Sequence, residues 1–107
     1  MSDNVWYDPE AFGLSVVGSA DEPGLSYEFN TFAVWRRNED GALFCASSIG
    51  CSCPTPFEEY ESVDNLTACQ NVEAVRREAE EWAADDAGRL IEVNKLMRHV
   101  REVVSEP

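Results

Sequence analysis

Four cysteines, Cys45, Cys51, Cys53 and Cys69, and one histidine, His99, carry most of the chemistry open to this chain. Zinc needs about four thiolate or imidazole ligands converging tetrahedrally. Cys51, Cys53 and Cys69 could supply three, with Cys45 or His99 as the fourth. The two-residue spacing usual in a zinc pair is missing, and no second close pair follows. The thiols therefore read first as small hydrophobes that pack a loop, and no metal or cofactor is expected. A Cys51–Cys53 disulfide would be strained. Pro54 biases Cys53 to an extended backbone, and two extended residues separate Cα atoms by about 6.6 Å, the upper edge of the disulfide range. A nucleophilic thiolate needs a neighbouring base or cation. His99, near the chain's end, reads instead as a surface or helix-terminal charge. Carboxylates occur in adjacent pairs such as Asp21-Glu22, Glu58-Glu59 and Glu80-Glu81. Adjacent side chains on a helix point to different faces, so these pairs read as solvation. The expectation is a protein that is not an enzyme.

Charge narrows the partners. The chain has 21 acidic and 8 basic side chains, a net charge of −13. Residues 1–61 hold eleven Asp and Glu against Arg36 and Arg37 alone; residues 62–107 hold ten against six bases. Such a surface repels nucleic acid and anionic lipid and favours a basic protein partner. No apolar run approaches the roughly 20 residues of a membrane span, and the N-terminus lacks the basic start and apolar stretch of a signal peptide. The chain is expected in the cytoplasm, bound neither to nucleic acid nor to membrane.

The elements that must position these residues follow from periodicity. With 107 residues, one domain is expected, with an acidic β-rich part (1–61) and a helical part (62–107). Strands are predicted over 14–18, 25–36 and 42–47. The alternation of Tyr27 and Phe29 shifts to Phe32 and Val34, which predicts a bulge or bend near Asn30-Thr31. Asp40-Gly41 marks a hairpin turn. Trp35, Phe44 or both are expected to be buried between sheet and helix. Ser62 is placed to cap a short helix over 63–69, and Asn71 the next. From Val72 the apolar residues Val75, Ala79, Trp82, Leu90, Val93, Met97, Val100 and Val104 recur every three or four positions, apart from one gap at Asp86. A straight helix over 72–104 would be about 50 Å long. Its stripe must then be buried by a break near Asp85–Gly88 or by a second copy, a homodimer through the C-terminal helix. The fold class is α+β: a small antiparallel sheet of about three strands, a Cys/Pro loop, and a long or kinked C-terminal helix.

The run Gly50-Cys51-Ser52-Cys53-Pro54-Thr55-Pro56-Phe57-Glu58, downstream of Val34-Trp35 and Gly41-Ala42-Leu43-Phe44, resembles a family of small uncharacterised proteins of actinobacterial bacteriophages. The likeness covers roughly residues 6–66, and the C-terminal helix lies outside it. It implies expression inside an infected host cell and assigns no activity. Together with the charge, it leads to the expectation of a small accessory protein that binds a host protein, in one version by mimicking nucleic acid. The candidate binding residues are Cys51, Cys53, Pro54, Pro56, Phe57 and Glu58. The alternative is a metal-binding or redox-responsive module centred on the Cys51/Cys53 loop.

Overall fold

The computed structural model describes residues 4–24, 28–51, 57, 60 and 62–105. It is an α+β fold with a four-stranded antiparallel meander, β1 (Leu14–Asp21), β2 (Glu28–Arg37), β3 (Leu43–Cys51) and β4 (Thr67–Cys69), in spatial order β1-β2-β3-β4. The helices α1 (Val72–Ala83) and α2 (Ala87–Ser105) follow. The fourth strand replaces part of the expected helix over 63–69. Ser62 does cap, accepting from Asp64 N–H at 3.2 Å, but the helical geometry stops after one 3-10 turn at Asn65. Thr67 and Cys69, poor helix formers, then extend against β3.

Both faces of the sheet are covered. Val17, Ala20, Phe32, Val34, Leu43, Cys45 and Cys69 pack beneath α1 and α2. Leu14, Ala33, Trp35, Phe44 and Ala46 point the other way and pack with Val5, Phe57 and Leu66. Trp35 and Phe44 are thus buried, but on the face away from the helices. The N-terminal segment makes this second layer possible: the Val5 carbonyl accepts from Trp35 Nε1 at 2.8 Å, and Trp6 packs edge-on against Trp35. Tyr7, next to Trp6 in sequence, is exposed.

Burial on both faces also explains the misplaced bulge. Residues 30–35 are all buried, so polarity does not mark the two faces of β2. Its register against β3 is unbroken from Glu28 to Arg36. The bulge lies in β1 instead, where Val16 pairs with Trp35 and Gly18 with Val34. The extra residue lets Val17 and Ala20, three apart, face the same helical layer.

Of the two alternatives for the C-terminal stripe, a break near Asp85–Gly88 or a continuous helix covered by a second copy, the break is present. Asn71 Oδ1 caps α1 at Ala74 N–H, 2.9 Å away, and Ala84 ends the helix at φ 50°. Asp85 also has positive φ, and Asp86 Oδ1 accepts from Arg89 N–H at 3.0 Å, opening α2. Two helices fit a body with a longest extent of 36 Å, where one of about 50 Å would project. Val75, Ala79, Val93, Met97 and Val100 are buried on the chain's own sheet, and Val104 alone of the stripe is exposed. The burial argument for a homodimer thereby loses its premise.

Candidate functional site

The sheet register brings together two of the four cysteines. Cys45 pairs with Thr67, and Cys69 with Leu43, so the thiols are diagonal neighbours across β3 and β4. Their Sγ atoms lie 3.4 Å apart, beneath α1. Cys45 is 1% exposed and Cys69 8%. A hydrogen bond between the sulfurs raises the Cys45 pKa, with burial adding to the rise, and lowers that of Cys69 against the opposing effect of burial. The direction follows from exposure: negative charge is better placed on the more exposed sulfur, with Cys45 as donor. The Glu78 carboxylate opposes ionisation of both thiols.

The remaining sequence candidates do not join this pair. Cys51 stands at the far end of β3, opposite Glu28. Six residues of strand put its backbone about 20 Å from that of Cys45, too far to share an ion. His99 lies on α2 over Gly18 of β1, two strands away from β3, and lines a separate cleft with Ser15 and Arg36. Among the described residues, no group of three or more Cys, His, Asp or Glu could hold a metal ion. Cys53, Pro54, Pro56 and Glu58 lie outside the described residues. Phe57 is fully buried, its ring 5.1 Å from Trp35, 5.2 Å from Trp6 and 5.3 Å from Tyr60. It is a packing anchor with no surface left for a partner.

Above Cys45 opens a cleft of about 360 Å³ between β3 and α1. Cys45, Ser47, Tyr60 and Thr67 line one side; Glu78, Glu81 and Trp82 of α1 line the other. Positions 78, 81 and 82 share one helix face because they are three and four residues apart. Tyr60 is fixed by its hydroxyl, which donates to the Ser47 carbonyl at 3.3 Å. Trp82 is fixed by its Nε1, which donates to Asn30 Oδ1 at 2.8 Å, and by ring packing on Phe32. Two carboxylates and two aromatic rings suit a cation: carboxylates attract it, and ring faces add cation–π stabilisation of about 0.5–1 kcal/mol or more.

A polar network holds the α1–α2 junction against the first hairpin. Arg89 donates through Nε, at 2.8 Å, and Nη2 to Glu22 Oε1, and through Nη1 to the Trp82 carbonyl. Asn30 Nδ2 donates to the same Glu22 oxygen at 3.0 Å. Both partners of this ion pair are about three-quarters buried. The network thus positions Trp82, and with it the cleft wall. Sequence reasoning assigned Trp82 to the core and Glu80-Glu81 to solvation. The spacing of Glu78, Glu81 and Trp82 could have marked the shared face, whereas the opposing wall depends on sheet register.

Residues 3–106 match the model of a family described as a domain of unknown function, DUF7574, and the chain belongs to that family. The matched span includes α1 and α2 as well as the sheet. No curated protein and no solved structure matches the chain.

Proposed function

We propose that this member of the family is a non-enzymatic binding module whose acidic cleft takes a basic side chain of another protein, a host protein in a phage-infected bacterium. The cleft between β3 and α1 carries this reading, with Glu78, Glu81 and Trp82 facing Tyr60 and Thr67 across a volume of side-chain size. The net charge of −13 supports it, because the field of the whole chain attracts a basic surface before contact. Ion pairs among the described residues engage Asp40, Glu73, Glu22 and Glu92, and none of these carboxylates lines the cleft. The cleft offers carboxylates and a phenol, and the chain's single imidazole lines another cleft, so binding is favoured over acid–base catalysis. The phage setting rests on the resemblance of the 50–58 segment.

Titration of the isotopically labelled protein with a Lys- and Arg-containing dodecapeptide tests the reading. Amide and indole shifts should centre on Glu78, Glu81, the Trp82 Nε1–H and Thr67. Shifts spread evenly over the acidic surface, or confined to another face, would overturn it. Competition by double-stranded DNA for a captured basic partner distinguishes the nucleic-acid mimic from a binder of other basic surfaces.

A further inference from the structure

We propose that Cys45 and Cys69 form a dithiol that a hydroperoxide closes to a disulfide, shifting β4 and the cleft wall it carries. The inference does not depend on what the cleft binds. The sulfurs are already 3.4 Å apart; a bond of about 2.05 Å needs them only about 1.3 Å closer. Access exists on both sides, since Cys45 lines the cleft and Cys69 keeps a small exposed area.

The chemistry balances with the two thiols as reductant and the peroxide as oxidant. The Cys69 sulfur, as thiolate, attacks the outer peroxide oxygen. The O–O bond breaks, an alcohol or water leaves, and Cys69 becomes a sulfenic acid. The Cys45 sulfur then attacks the Cys69 sulfur; the S–O bond breaks, and hydroxide leaves with the Cys45 proton as water. The lowered pKa of Cys69 and the raised pKa of Cys45, beside the 3.4 Å separation of their sulfurs, suit these two roles.

The sheet makes the bond consequential. Diagonal neighbours across an antiparallel pair sit about 7–8 Å apart, beyond the relaxed Cα span of a disulfide. One strand must move. β3 is paired along nine residues with β2, whereas β4 is an edge strand with three paired residues. β4 therefore shifts, taking with it Thr67 and the neighbouring Asn65, both of which wall the cleft. A disulfide strained in this way is readily reduced, as suits a reversible switch.

The test uses the full-length wild-type chain, reduced, then exposed to hydrogen peroxide and blocked with a maleimide. Cleavage after the glutamates between positions 58 and 61 separates Cys45 from Cys69. The expected product is a cross-linked peptide pair joined at Cys45 and Cys69, lighter by about 2 Da and released by dithiothreitol. Amide signals of Asn65 to Cys69 should move on oxidation and return on reduction. Cys69→Ser should lose the cross-link entirely, although the mapping needs no variant. Linkage confined to Cys51 and Cys53, Cys69 oxidised without a bond, or a Cys45–Cys69 bond that leaves those amide signals in place would each overturn the proposal.

Discussion

Truncating Phe57 should be among the most damaging single changes in this chain. Its ring is fully buried and meets Trp6, Trp35 and Tyr60, so Phe57→Ala removes three aromatic contacts and leaves a cavity under the sheet. Such truncations cost about 3–5 kcal/mol, a large share of the roughly 5–15 kcal/mol that holds a domain folded. The backbone adds a second, separable effect. Phe57 sits at φ 61°, in the left-handed region, where a side chain costs about 1–2 kcal/mol. Alanine keeps that strain and glycine releases it. Phe57→Gly should therefore be at least as stable as Phe57→Ala, the reverse of the usual order. Urea unfolding followed by tryptophan fluorescence reads both effects. With a slope of about 1.5 kcal/mol per molar, the alanine midpoint should fall by about 2 M or more. A fall below about 0.5 M would refute the packing argument, and a glycine variant clearly weaker than alanine would refute the strain argument.

Other changes probe the rest of the frame. Ala84→Gly should raise stability by about 1 kcal/mol, because Ala84 caps α1 at φ 50°; thermal melting checks it. Gly18→Ala should lower stability by about 1–2 kcal/mol in the same assay, since the added methyl would meet the buried Leu96 Cδ1 at 3.0 Å. Stability should also fall in acid. Hydrogen bonds from Asn30 and then Arg89 hold the Glu22 pKa below its usual 4.5, and those from Arg37 and then the Ala42 N–H hold Asp40 at about 2 against 3.8. A lowered carboxylate pKa stabilises the fold above the unfolded value, and that stability is lost as pH falls through the folded value. The midpoint of urea unfolding should therefore drop between about pH 4.5 and 2, less steeply in Glu22→Gln.

Caps and tight turns were legible in the sequence, and pairings between distant segments were not. Asp40-Gly41 marked the hairpin, Asn71 the start of α1, and Asp86 the interruption between helices, because caps and turns act within four residues. Trp35 and Phe44 were legible as buried, but the face they occupy depends on Val5, which precedes β1, and Phe57, which lies between β3 and β4. β4 has three residues, too few for an alternation to register. Without β4, nothing in the sequence pairs Cys69 with Cys45 rather than with the more noticeable Cys51 and Cys53. The cleft was hidden for the same reason. Glu78, Glu81 and Trp82 share a legible helix face, whereas Tyr60 and Thr67 join them only through the fold.

The affinity of a basic dodecapeptide for two charge-matched variants tests the binding reading most directly. Glu78→Gln with Glu81→Gln removes both carboxylates of the cleft; Asp8→Asn with Glu10→Gln removes two exposed charges outside it. Each variant loses two negative charges, so the long-range field changes alike. Two close, partly shielded charge contacts at about 0.7–1 kcal/mol each, about 1.4–2 kcal/mol together, predict a loss of affinity of about tenfold to thirtyfold for the cleft variant. Less than about twofold is expected for the control, because its charges act only through the screened field. Equal losses in both variants, with both folded by circular dichroism, would contradict the assignment of binding to the cleft.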